Sequence, residues 1–108
     1  MRGVAYNSKV VILKNGHTAP SEEATQAGVD WCINNRTKFN ISVITISSGF
    51  DVSDSHDCFP NTALSIAINQ AHDNGLPIVA ATGNGWSTNY IAYPACVRGA
   101  ISVGASTD

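Results

Sequence analysis

The sequence predicts an α/β fold: a parallel sheet of about four strands with two main helices, layered helix on sheet on helix. Three observations carry that prediction. Four short runs rich in Val, Ile and Ala alternate with two stretches of helical periodicity, an order that belongs to right-handed βαβ crossovers. The second run, "ISVITIS", is dense enough in branched apolar residues to be covered on both faces, as strands of parallel sheets are. Two runs end on glycine-containing polar turns, Ser47-Ser48-Gly49 and Thr82-Gly83-Asn84-Gly85, and open parallel sheets gather their ligands at such strand ends.

Taken in order, "KVVILK" from Lys9 to Lys14 is a β-branched run suited to a buried strand. Pro20-Ser21-Glu22-Glu23 opens a helix, with Ser21 able to cap it and two carboxylates in the turn where the helix dipole favours them. Ala24, Ala27, Gly28 and Trp31 recur on one face of this helix, which is expected to run to about Arg36. Ile41 to Ser47 is the second strand. A polar loop follows from Gly49 to Pro60. Asn61 or Thr62 then opens a second helix that buries Leu64, Ala67, Ile68 and Ala71, and Asn74-Gly75 supplies a left-handed stop. Leu76 to Ala81 is the third strand, with Pro77 tolerable at its start. Ala100 to Ala105, "AISVGA", is the fourth. There is no internal repeat or low-complexity tract, and 108 residues amount to one small domain.

With 44% hydrophobic residues, 13% charged residues and a formal charge of −2, the chain reads as globular. Its six Lys and Arg are scattered, which argues against nucleic acid as a partner. No run approaches the ~18 apolar residues of a membrane span, and Met1-Arg2-Gly3 leads into a strand-like segment without a secretory signal pattern. The charge is low against the usual quarter or so of residues, as expected if part of the surface lies against more protein. Cys32, Cys58 and Cys96 fit no metal spacing. Cys32 falls in the first helix as a small buried residue. Cys58 and Cys96 fall in loops, where a bridge and two free thiols are both open. A bridge implies an oxidising compartment. The sequons Asn35-Arg36-Thr37 and Asn40-Ile41-Ser42 point the same way.

At the strand ends, glycines 83 and 85 let the backbone turn sharply and let another segment approach. An asparagine between them offers an uncharged NH₂ donor, suited to an oxyanion that exists only in a transition state. A phosphate cradle would need a helix directly after the glycines, and "WSTNYIAYP" does not read as one. On local physics alone, the simplest reading of Gly-Asn-Gly is a turn.

The wider pattern adds to this. "GVAYNSKVVILK", "VITISSG", "ALSIAINQAHDNGLPIVAATGNG", "YPA" and "AISVGAS" follow one another in order. Together they resemble the central part of the catalytic domain of subtilisin-like serine proteases, over nearly the whole chain. The resemblance implies that residues 1–108 are a single incomplete domain of this kind. It implies that Asn84 is the oxyanion-hole donor and that Ser47, Ser48 and Gly49 pair with an extended substrate. Ser48 stands where the family usually has leucine, which would leave that part of the pocket more polar or differently filled. Ala81, Thr82 and Gly83 would wall the pocket for the side chain before the scissile bond, with Tyr93, Pro94 and Ala95 near its base or rim. Thr82 replaces a residue often smaller, and Gly85 one often polar. The implied partners are a peptide or protein substrate, the remainder of the catalytic domain and, for the segment alone, a second copy paired through an uncovered sheet edge. A secreted or extracytoplasmic location is favoured.

The family's nucleophile lies in a Gly-Thr-Ser motif, its histidine in His-Gly-Thr, and its aspartate earlier still; none of these motifs is in the sequence. His17, His56 and His72 lack the flanking residues and read as surface histidines. Ser47 and Ser48 have no nucleophile elbow. Asp51, Asp54, Asp57 and Asp73 read as solvated loop and helix-end acids; a calcium role for the loop aspartates with His56 is the lesser reading, and no cofactor is expected. The expected function is a segment of a serine endopeptidase that is inactive alone. The alternative is a triad-less pseudo-protease that binds extended peptides by strand addition. A flavodoxin-like domain would want an acidic or phosphate-binding cluster after the first strand, and "KNGHTAP" offers none.

Overall fold

A computed structural model describes residues 4–50, 58–85 and 90–106. The elements are α1 (Glu22–Phe39), β1 (Ile44–Ile46), α2 (Ala63–Asp73), β2 (Ile78–Ala81) and β3 (Ala100–Val103). The strands form one parallel sheet in the order β1-β2-β3.

Helix α1 starts where Ser21 accepts a hydrogen bond on its Oγ from the Ala24 N–H at 3.1 Å, with Glu22 and Glu23 in the first turn. It runs three residues past Arg36 and stops at Asn40, which takes the left-handed conformation at φ 52° and ψ 47°. Its buried residues are Thr25, Val29 and Cys32. The stripe expected through Ala24, Ala27 and Trp31 is therefore not the buried one: Ala24 is half-buried, Ala27 is exposed and Trp31 packs only against the margin of the core. Small size and helical spacing do not fix a face; α1 buries its Val and Cys, and Ala27 is exposed. In α2, Thr62 caps by accepting from the Ser65 N–H at 3.2 Å. Leu64, Ala67, Ile68 and Ala71 are buried as their spacing predicts, together with Ser65. Gly75 follows at φ 66°. The two helix ends are joined by Arg36, whose guanidinium donates to the carbonyls of Asn74 and, at 2.9 Å, Gly75.

Both helices contribute to one core on one face of the sheet, where Val29, Cys32, Leu64, Ala67, Ile68 and Ala71 meet Ile44, Ile46, Ile78 and Ala80. In register across the opposite face lie Thr45, Val79 and Ile101. There Ile101 and Val103 are 53% and 51% exposed. Among the described residues, then, two of the three expected layers are built.

The run from Lys9 to Lys14 forms no ladder, so the sheet has three strands among the described residues and not four. Val10 and Ile12 are 76% and 87% exposed. The physical reason is separation. An open cleft of about 820 Å³ lies between this segment, α1 and the outer edge of β1, lined by Val11, Leu13, Gly28 and residues 39–48 among others. Among the described residues the segment is pinned just past its end, by the Ser21 N–H to the Asn15 carbonyl at 2.9 Å and by Asn15 Nδ2 to Ser48 Oγ at 2.8 Å.

Candidate functional site at the carboxyl ends of the strands

Parallel pairing of Ile46 with Ala80 and of Ala81 with Val103 brings the ends of all three strands to one edge of the sheet. Ser47-Ser48-Gly49 leaves β1 beside Thr82-Gly83-Asn84-Gly85 leaving β2. Between them runs the segment around Ala92 and Tyr93. The Ala92 N–H donates to the Thr82 carbonyl at 2.8 Å. Tyr93 and Phe50 exchange both backbone hydrogen bonds, at 3.1 and 2.6 Å. The Thr82 N–H in turn reaches the Val103 carbonyl at 3.0 Å.

This arrangement accounts for two glycines. Gly83 has φ +98°, and a Cβ there would lie 2.8 Å from the Ala92 methyl. A Cβ at Gly49 would lie 3.1 Å from the same methyl. The segment that approaches these glycines most closely is thus the chain's own, with Ala92 filling the gap between two strand ends. Sequence reasoning missed Ala92 and Phe50. Their only signal is position, one residue before Tyr93-Pro94 and one after Gly49.

The residues singled out at the mouth fall into three groups by burial. Ser47, Gly49, Gly83, Asn84 and Gly85 are exposed, while Ser48, Ala81 and Thr82 are half-buried. Tyr93, Pro94 and Ala95 are buried beneath them, with the Tyr93-Pro94 peptide cis. The Tyr93 ring packs between Phe50 and Phe59. Its hydroxyl donates to Glu22 Oε1 at 3.1 Å and lies 2.6 Å from Thr62 Oγ1 and 3.3 Å from Ser65 Oγ. One phenol therefore ties the floor of the mouth to the first turns of both helices. Burial pushes the Tyr93 phenol above its ordinary value; the hydrogen bonds with Ser65 and Thr62 oppose that rise, and Glu22 adds to it. None of these three helix residues was marked by the sequence as serving the site, because the contacts span 28 to 71 positions of chain.

Cys58 and Cys96 are joined in a disulfide that links the approach to α2 with the segment following Pro94. Cys32 is a buried free thiol, pushed up by burial. His17 and His72 lie at the surface, His72 with Nδ1 3.3 Å from Asp73 Oδ1. Ser48 Oγ accepts from Asn15 and has no histidine partner among the described residues. Asp51, Asp54, Asp57 and His56 lie outside the described residues, as does the stretch 86–89 that follows Gly85. Among the described residues no cluster of His, Cys, Asp and Glu is placed to hold a metal ion. No helix among them is long and apolar enough to cross a membrane.

The family model Peptidase_S8, described as the subtilase family, matches residues 1–108. Subtilisin DY of Bacillus licheniformis is 32% identical over 108 residues, covering 95% of this chain and 35% of that protein. The chain thus spans about a third of the length of this relative. In fold it is similar to the structure of the prenylagaramide maturation protease PagA, with a TM-score of 0.68 at 24% identity, over 86% of this chain and 31% of that one.

Proposed function

The chain belongs to the subtilase family, and from that premise we propose that it is a segment of a serine endopeptidase catalytic domain that supplies the oxyanion donor and one side of the substrate groove. The observation that carries the proposal is the exposure of Asn84 just beyond β2, beside the exposed backbone of Gly49 and Gly83. In the assembled domain a serine attacks the peptide carbonyl, a histidine takes its proton and an aspartate holds the histidine. Asn84 donates its side-chain amide to the oxygen on which negative charge develops. Such a donor is effective because it is fixed before the charge appears and needs no reorganisation when it does. Ser47 to Gly49 offers extended backbone for pairing with the substrate, and Ala81 to Gly83 forms a wall. Ala92 and the buried Tyr93 hold these two strand ends at a fixed spacing.

The triad is proposed to come from the remainder of the domain. The Ser47-Ser48 end of the cleft beside β1, between the edge of that strand left unpaired among the described residues and the apolar 10–13 run, is consistent with seating part of it. In its absence two chains are expected to pair through open sheet edges, so that light scattering gives a dimer; a monomer at high concentration speaks against this. The isolated chain is expected not to react with a serine-directed fluorophosphonate, and covalent labelling overturns the segment reading. With the rest of the domain restored, Asn84→Leu is expected to lower kcat by about 10²–10³-fold, which is subtilisin's own figure for that donor.

A second reading has its own support in the exposed Ser47 and Gly49 next to a strand edge that is unpaired among the described residues. There the chain binds extended peptides by strand addition without cleaving them. Micromolar binding of an unstructured peptide by the isolated chain, lost in Gly49→Val, selects this reading over the first.

A further inference from the structure

We propose that Asn40 is an N-glycosylation acceptor, and that Asn35, the other sequon asparagine, is not. The two sequons are equivalent as sequence, both of the form Asn-x-Ser/Thr without proline. The fold separates them. Asn35 lies inside α1, half-buried, and its Nδ2, the atom that would carry the sugar, donates to the Trp31 carbonyl at 2.9 Å. The adjacent Arg36 is held on the carbonyls of Asn74 and Gly75, so this turn of α1 is fastened to the end of α2. A bulky branched sugar on Nδ2 would have to displace that packing.

Asn40 is placed differently. It ends α1 in the left-handed conformation, its backbone N–H reaches the Arg36 and Thr37 carbonyls, and the residue is exposed. Ser42, two residues on, is also exposed and precedes the first residue of β1. The acceptor amide and the required hydroxyl thus stand in a short surface turn. Asn40 is at the opposite end of β1 from Ser47-Ser48-Gly49, so a glycan leaves the mouth clear. Phe39 and Val43, 45% and 48% exposed, flank the site and would be shaded by the first sugar. The disulfide between Cys58 and Cys96 is an independent sign of an oxidising compartment, where N-glycosylation takes place. In the reaction, Asn40 Nδ2 bonds to the anomeric carbon of a lipid-pyrophosphate-linked oligosaccharide. The bond from that carbon to the pyrophosphate oxygen breaks, the lipid pyrophosphate leaves with the electron pair, and the amide loses one proton.

The test is import of the full chain, behind a cleavable signal peptide, into eukaryotic microsomes. Peptide N-glycosidase release, which leaves Asp at an occupied Asn, then maps the site. The expected result is one glycan, mapped to position 40. Ser42→Ala should abolish it while leaving Asn40 in its left-handed turn, and Ser42→Thr should retain it. An unoccupied Asn40, or a shift that survives Ser42→Ala because Asn35 carries the glycan, overturns the proposal.

Discussion

The two faces of the sheet are built from the same strands and have opposite environments. On one, Ile44, Ile46, Ile78 and Ala80 are sealed beneath α1 and α2. On the other, Ile101 and Val103 are about half exposed, in register with Val79 and Ala81. Yet "IVAA" is apolar at every position, and "AISV" puts its two largest apolar residues, Ile101 and Val103, on the open face. A strand facing water on one side would alternate apolar with polar. The composition of β2 and β3 is therefore closer to that of a sheet covered on both faces, in keeping with the proposal that the chain is a segment of a larger domain.

The largest test of this contrast is a pair of substitutions. Ile78, 0% exposed, is expected to cost about 2–5 kcal/mol as Ile78→Ala, read as a lower urea midpoint. On the open face Ile101→Lys is expected to stay within about 0.5 kcal/mol. Equal losses at both positions would mean that the open face is covered in solution.

Next in size is the clamp at the margin of the sealed face. Reducing Cys58–Cys96, or replacing both residues with Ala, is expected to cost about 2–4 kcal/mol, since the bridge closes a long loop in the unfolded chain. A thermal melt with and without reductant measures this. Smaller still is a comparison of two glycines with positive φ. Gly83→Ala meets the Ala92 methyl as well as an unfavourable backbone, and is expected to cost about 1–3 kcal/mol. Gly75→Ala has open space around its Cβ, so only the backbone term of about 1–2 kcal/mol applies. Matching losses would show that the contact with Ala92 is slack.

The smallest effect is a pH dependence at Tyr93. Its phenol is raised in the folded chain, mainly by burial, so on raising the pH the unfolded chain ionises first. The stabilisation is complete below the unfolded value of about 10 and is lost as pH climbs from there toward the folded value. Urea midpoints across that window should fall more steeply for the native sequence than for Tyr93→Phe. Parallel curves would place the phenol in water.

The strand ends show how far sequence reading carries. Thr62 as a cap, the Leu64-Ala67-Ile68-Ala71 stripe and the Asn74-Gly75 stop are local events of capping and periodicity, and each is found where its residues predict. The face of α1 was not legible, because Ala24, Ala27 and Trp31 are as regularly spaced as Thr25, Val29 and Cys32 and only the partner surface chooses between them. At the mouth, the glycines could be read as points of close approach, but not what approaches them. That role falls to Ala92, brought in by backbone pairing with Thr82 and held there by a phenol reaching residues far away in sequence.

By itself, then, the sequence determined the α/β class, both helices, the three strands that pair and the family, because each rests on short-range pattern or on an ordered set of motifs. Tertiary structure alone decided that the Lys9–Lys14 run stays out of the sheet, which side of α1 is buried and how the two strand ends are spaced. A strand needs a neighbouring edge, a helix face needs a surface, and a gap needs a filler, and none of these partners lies next to its residues along the chain.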